Sequence, residues 1–154
     1  MNKSRAVAVV LLCLVGAGSL PAAPRKAQDR TGQVIFKDVA SEDLSRTRIL
    51  KVTVVQELPD ALVVDVEYNR ASDYEGELGL SVIPDMPHWS VTHIHLQPGR
   101  HIVSQEIAIQ EEVKAPQTSN NLSIQIQHYQ DRKYKGEIFT RIVPFEKVWK
   151  PRQR

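Results

Sequence analysis

The chain has 154 residues, with 20 Lys and Arg against 18 Asp and Glu, and one cysteine. This length suits one domain of ordinary size, and the near balance of charge argues against binding nucleic acid or anionic membrane through bulk charge. A lone cysteine excludes an internal disulfide.

The first 23 residues have the three parts of a secretory signal peptide. Lys3 and Arg5 make a positive start, an apolar run extends from Ala6 to Val15, and small residues follow up to Ala23. A membrane span needs about 20 apolar residues, so this run is too short to be one. We therefore predict cleavage and export to the periplasm or the medium, with the cleavage position left open.

Cleavage would change the chemistry that remains. It removes Cys13, and with it all thiol chemistry, as well as the two bases Lys3 and Arg5. Residues 24–154 then carry 18 basic and 18 acidic side chains, a formal net charge of zero. Residues 24–45 are predicted as a flexible lead-in with a possible edge strand at 34–39, and residues 151–154 as a basic tail.

Period-two alternation dominates residues 46–150 and predicts β-strands. In Leu62–Tyr68, apolar side chains share one face while Asp65 and Glu67 share the other. The same pattern occurs at 50–54, 78–82 and 122–128, as expected for antiparallel strands with one dry face. Further strands are predicted at 91–96, 102–109 and 138–145, with a tight turn at 97–100 joining the first two as a hairpin.

Seven or eight short strands separated by turns are typical of an all-β sandwich. An antiparallel immunoglobulin-like sandwich is therefore the predicted fold, and a small closed β-barrel is the alternative.

Four segments of the sequence resemble a known class of domains. They are LVVDVEYN from Leu62, the LQPGRH turn, the strand entry TSNNLSIQIQ, and IFTRIVPFEKVW from Ile138 to Trp149. Over about residues 46–149 the chain resembles bacterial extracytoplasmic immunoglobulin-like and fibronectin-III-like domains of the adhesion type. The resemblance implies a role in ligand binding, adhesion or spacing, and it brings no catalytic residues with it.

Histidines cluster in the middle of the chain, with four of the five between His88 and His101. His93 and His95 are two residues apart, so in a strand they share a face and could coordinate one Cu or Zn ion. His88 is the candidate third ligand. The predicted turn at 97–100 puts His101 on the opposite face. The alternative is that His93 and His95 are simply the wet face of a strand.

Other polar and aromatic residues suggest weaker sites. Acidic pairs such as Asp65 with Glu67 could support acid–base chemistry, but they also suit the wet face of a soluble sheet. His128, which continues an apolar series, is expected at the edge of the core with a hydrogen bond. Trp89 is a candidate ligand contact on a proline-rich loop, or else a cap on the core.

Three functions follow from these features. The first is a secreted or periplasmic, non-catalytic module that binds protein or glycan in the cell envelope. The second is a periplasmic Cu- or Zn-binding protein that uses the His-x-His pair. The third and weakest is a small hydrolase that uses surface carboxylates. The sequence favours the first, with no enzyme activity, no resident cofactor and no nucleic-acid partner.

Overall fold

A computed structural model describes residues 29–151 of the chain. The predicted signal peptide with Cys13, and residues 152–154 of the predicted tail, lie outside the described residues. The strands of the described part are β1 (Val34–Lys37), β2 (Arg48–Glu57), β3 (Ala61–Arg70), β4 (Glu77–Pro84), β5 (Trp89–Val91), β6 (Ile94–His95), β7 (Gly99–Ile109), β8 (Gln117–Gln130) and β9 (Lys133–Trp149).

These strands form two sheets, and every pairing in them is antiparallel. Sheet A has the order β1-β2-β3-β7-β5, and sheet B has the order β6-β4-β8-β9. The described chain is all-β, and its sheets are not closed into a barrel. The all-β, two-sheet prediction is confirmed, and the small-barrel alternative is wrong. No helix within residues 29–151 is long and apolar enough to cross a membrane.

The core lies between the sheets and consists of the alternating apolar residues. Leu62, Val64 and Val66 of sheet A are fully buried, as are Leu80 and Ile124 of sheet B, and all belong to one cluster. Each such side chain stabilises the fold by about 1.5–3 kcal/mol relative to an exposed one. The core faces predicted from alternation in β2, β3, β4 and β8 are therefore confirmed.

One buried polar side chain bridges the two sheets. Gln105 of β7 is fully buried, and its Oε1 accepts a hydrogen bond from the Val82 N–H of β4 at 2.7 Å. Its Nε2 donates to the carbonyls of Leu80 and Thr92. Because these partners belong to the facing sheet and to the segment after β5, Gln105 links the two sheets by hydrogen bonds.

The predicted hairpin across residues 97–100 is wrong. Val91 belongs to β5 and pairs with Ile107 of β7 in sheet A, whereas Ile94 belongs to β6 and pairs with Leu80 of β4 in sheet B. The predicted strand 91–96 is thus two short strands in different sheets. The chain crosses between the sheets at Thr92, whose carbonyl accepts the Gln105 hydrogen bond.

Two other boundaries differ from the sequence prediction. The structure has an edge strand near the predicted place, with β1 pairing to β2. The loop predicted at 114–121 is shorter than expected, because β8 already begins at Gln117 and pairs there with Trp149. The strand number rises from seven or eight to nine within the described residues, chiefly because 91–96 is divided.

The closing strand brings a buried charge to one end of the sandwich. Trp149 is fully buried and its Nε1 donates to Ser119 Oγ at 2.9 Å. Lys147 is only 5% exposed; its Nζ donates to the Leu58 carbonyl and lies 3.7 Å from the Glu57 carboxylate. Burial lowers the pKa of Lys147, against the opposing pull of Glu57.

Candidate functional site

A shallow cleft on the outer face of sheet B brings polar and aromatic side chains together. Its volume is about 300 Å³. We call it the histidine cleft, and its lining residues are Glu77, His93, His95, Tyr129 and Arg132.

Strand pairing explains how distant residues meet in the histidine cleft. Leu78 and Leu80 of β4 point into the core, so Glu77 and Gly79 point outward. Across the sheet, Glu77 lies opposite Tyr129 of β8, and Gly79 lies opposite His95 of β6. Glu77 and His95 are therefore diagonal neighbours on one face, within reach of each other's side chains.

The diagonal pair is in direct contact. His95 Nδ1 contacts Glu77 Oε1, and both side chains are about half exposed, at 59% and 47%. A carboxylate against one ring nitrogen fixes the orientation of the imidazole and leaves the other nitrogen facing away from that contact.

His93 is held by a glycine beneath its ring. A Cβ at position 79 would overlap His93 Cε1 and Nε2, so the ring occupies the space that any other residue in β4 would fill. The ring centre of His93 lies 5.0 Å from that of His95 and 5.7 Å from that of Tyr129, edge to face in both cases. Glycine normally weakens a strand interior, and here the close approach of the imidazole accounts for it.

The rings continue beyond His93 along the outer face of sheet B. Tyr129 contacts Tyr134 of β9 with ring centres 5.8 Å apart, and the Tyr129 hydroxyl donates to Gln127 at 3.0 Å. Desolvation and then the Glu137 carboxylate raise the pKa of Tyr134. The result is an aromatic row, made of His95, His93, Tyr129 and Tyr134.

Arg132 reaches the histidine cleft from an unusual turn. Gln130 pairs with Lys133, so Asp131 and Arg132 form a two-residue hairpin loop between β8 and β9. Their φ angles are +51° and +62°, as a type I′ turn requires. Asparagine and glycine are favoured in such turns, because a left-handed conformation strains other residues. Strained residues often occur at functional sites, which makes Arg132 a candidate.

The residues singled out from the sequence have separate places in the structure. His93 and His95 share the histidine cleft, whereas His88 and His101 are not among its lining residues. His101 pairs opposite Tyr68 in sheet A, and its Nε2 contacts the Pro98 carbonyl at 2.8 Å. His88 has a φ of +58° just before β5. The prediction of a metal bound by His88, His93 and His95 stays a prediction, with Glu77 standing nearer to the pair.

Other predicted candidates lie outside the histidine cleft. Trp89 is partly buried and packs against the core, and its role as a ligand contact stays a prediction. His128 contacts the Glu75 carbonyl at 2.6 Å, in line with its expected hydrogen bond at the edge of the core. The acids Asp65 and Glu67 bond to Ser104 and Arg100 across β3 and β7.

Sequence reasoning missed Glu77, Tyr129 and Arg132 as members of one site. In the sequence, no motif or spacing links Glu77, Tyr129 or Arg132 to His93 and His95. Two local signals pointed to them: a glycine at position 79 inside an apolar strand pattern, and a tight turn without glycine at Asp131-Arg132.

Within residues 29–151, no three His, Cys, Asp or Glu side chains form a ready-made metal cluster. No protein-family model, curated protein or solved structure matches the chain. The geometry of the histidine cleft and the order of the strands are therefore the features that bear on function.

Proposed function

We propose that the protein is an immunoglobulin-like, non-catalytic binding module that works in the periplasm or outside the cell. The strand order supports the immunoglobulin-like type. A constant-type domain has strands A-B-E-D in one sheet and C-F-G in the other. Here β2-β3-β7-β5 follow the first order and β4-β8-β9 follow the second. The extra strands β1 and β6 are then additions at the edges of sheets A and B.

The histidine cleft is the observation that carries the binding role. Three separate segments, β4, the β5–β6 region and the β8–β9 hairpin, place five polar or aromatic side chains on one surface. Arg132 adopts a strained backbone in doing so. Neither the grouping of these side chains nor the strained turn is needed for solubility. Both are useful to a binding site, because they hold hydrogen-bond donors and acceptors in fixed positions.

Of the two partner classes, the histidine cleft favours a glycan over a protein. A volume of about 300 Å³ is at the lower end of the range for small-molecule sites. A stable protein interface covers about 800 Å² on each partner, which is far more than five side chains provide. Sugars offer hydroxyls to Glu77, His95 and Arg132, and apolar C–H faces to the ring of Tyr129.

A glycan microarray probed with the full chain tests this function. We expect a subset of oligosaccharides to bind, and binding to fall at least tenfold in Arg132→Ala and Tyr129→Ala. Arg141→Ala is the matched control, because Arg141 lies in β9 of the same hairpin but packs over Phe139 outside the histidine cleft. Binding that is equal in Arg132→Ala and Arg141→Ala would contradict the assignment.

Two further outcomes bear on the proposal. If no oligosaccharide binds but cross-linking in envelope extracts captures a protein partner through the histidine cleft, the glycan assignment is wrong and the binding role stands. The export assignment has its own check, which is fractionation of cells that express the chain. A chain that stays in the cytoplasm with its first 23 residues intact would contradict export.

A further inference from the structure

We propose that the histidine cleft also holds a divalent metal ion, with Cu²⁺ preferred, bound by His93 and His95 and supported by Glu77. This site differs from the one predicted from sequence, because His88 is not among its ligands and Glu77 supports the histidine pair. It does not depend on the glycan assignment, and it lies at His93 and His95, where Tyr129 contacts the His93 ring.

The spacing of the two imidazoles fits one ion. With metal–nitrogen bonds of about 2.0 Å, two imidazoles on one four-coordinate ion have ring centres about 4.5–5 Å apart. The centres of His93 and His95 are 5.0 Å apart with their planes nearly perpendicular. Both side chains are exposed, so an ion can reach them from solvent.

Glu77 acts in this site as a support rather than as a ligand. Its carboxylate contacts His95 Nδ1, which leaves Nε2 as the coordinating nitrogen. Metal-bound histidines commonly use their second nitrogen in this way, and the carboxylate orients the ring and makes it more basic. Because only two side chains coordinate, water completes the shell of the ion.

Gly79 positions the second ligand. The Cε1–Nε2 edge of the His93 ring lies against the glycine, which leaves Nδ1 as its coordinating nitrogen, and Tyr129 contacts the ring from another side. A methyl group at position 79 would displace the ring from this place while leaving every donor atom in the chain. Gly79→Ala therefore removes the geometry without removing a ligand.

The preference for copper follows from the donors. Imidazole suits both Cu²⁺ and Zn²⁺, and a site of given donors binds Cu²⁺ more tightly in the usual order of divalent ions. Two nitrogens plus water also suit a tetragonal Cu²⁺ ion better than a closed tetrahedral zinc site, which normally takes four protein ligands.

Calorimetric titration of the full chain with CuCl₂ and ZnCl₂ tests the site, together with electron paramagnetic resonance of the copper form. We expect one Cu²⁺ per chain, tighter binding of Cu²⁺ than of Zn²⁺, and splitting from two imidazole nitrogens. His93→Ala and His95→Ala should weaken Cu²⁺ binding at least about 100-fold, and Glu77→Gln about 10- to 100-fold. Gly79→Ala should weaken it without loss of a donor.

His101→Ala is the matched control, since that exposed histidine lies in sheet A and should leave binding unchanged. Circular dichroism checks that each variant folds. The electron paramagnetic resonance spectrum is recorded on the unmodified chain, so that measurement does not depend on the folding of any variant. A spectrum without imidazole nitrogens, or a Cu²⁺ affinity unchanged in the His93→Ala/His95→Ala double variant, overturns the proposal.

Arg132 separates this proposal from the glycan function. Its positive charge lies in the same cleft as the ion, so Arg132→Ala should tighten Cu²⁺ binding severalfold by removing a like charge. The same variant should weaken glycan binding. Copper binding without glycan binding, or the reverse, would therefore contradict one proposal and leave the other in place. Copper binding that weakens in Arg132→Ala would contradict the assigned position of the ion.

Discussion

Replacing Arg132 with glycine should stabilise the fold while it weakens binding. Arg132 has a φ of +62° in the β8–β9 turn. A left-handed conformation costs a residue with a Cβ about 1–2 kcal/mol, and glycine avoids this cost. Glycine loses about 0.5–1 kcal/mol more backbone entropy on folding. The net expectation is a gain of about 0.5–1 kcal/mol, or a midpoint about 2–5 °C higher for a domain of this size.

Thermal and urea unfolding of Arg132→Gly and Arg132→Ala measure this effect. Alanine removes the guanidinium but keeps the Cβ, so Arg132→Ala should not share the gain in stability. Both variants should lose glycan binding, because both lack the guanidinium. Equal stabilities for the two variants would refute the claim that backbone strain is maintained at this turn for the sake of the side chain.

Three other predictions concern the frame that holds the histidine cleft. Gln105→Leu should destabilise the fold by about 2–4 kcal/mol in urea unfolding, because backbone groups of β4 and of Thr92 lose their hydrogen-bond partners. Gln125→Leu on the outer face of β8 should change stability by less than about 0.5 kcal/mol. Asp85→Ala should cost about 1 kcal/mol, since the Asp85 carboxylate accepts the backbone N–H groups of Asn120 and Asn121; an unchanged midpoint would show that these bonds contribute nothing. Burial lowers the pKa of Lys147 in the folded state below its ordinary value of 10.5. Between the pKa of the folded state and that of the unfolded state, the unfolded chain binds more protons, so the free energy of unfolding should rise with pH across that interval. Lys147→Met should flatten this rise, and an identical pH profile in the variant would contradict the assignment.

The sequence predicted the inner faces of the sheets because alternation reports them directly. A side chain every second residue points the same way, so Leu62, Val64 and Val66 could be assigned to the core without knowledge of their partners. The break at Thr92 could not be predicted in this way. The alternation is interrupted there by two consecutive polar residues, Thr92 and His93, but such an interruption does not reveal a change of sheet. The pairing of Val91 with β7 and of Ile94 with β4 shows that change.

The candidate site was predicted in part for a related reason. His93 and His95 both line the histidine cleft, but the single strand 91–96 on which their predicted shared face depended is not formed, and His93 lies in the link before β6. Glu77, Tyr129 and Arg132 join them through the register of β4 with β6 and β8, which composition and spacing do not reveal. His88 was proposed as a third ligand because it is near in sequence, but the chain reaches β5 in the other sheet immediately after it.

The binding role of the histidine cleft is tested most directly by ¹H–¹⁵N NMR of the full chain during titration with an oligosaccharide selected on the array. The largest shift changes should come from the histidine cleft, at Glu77, His93, His95, Tyr129 and Arg132, and should vanish in Arg132→Ala but persist in Arg141→Ala. Shift changes confined to the segment around Trp89, or the absence of any oligosaccharide that shifts the spectrum, would contradict that role.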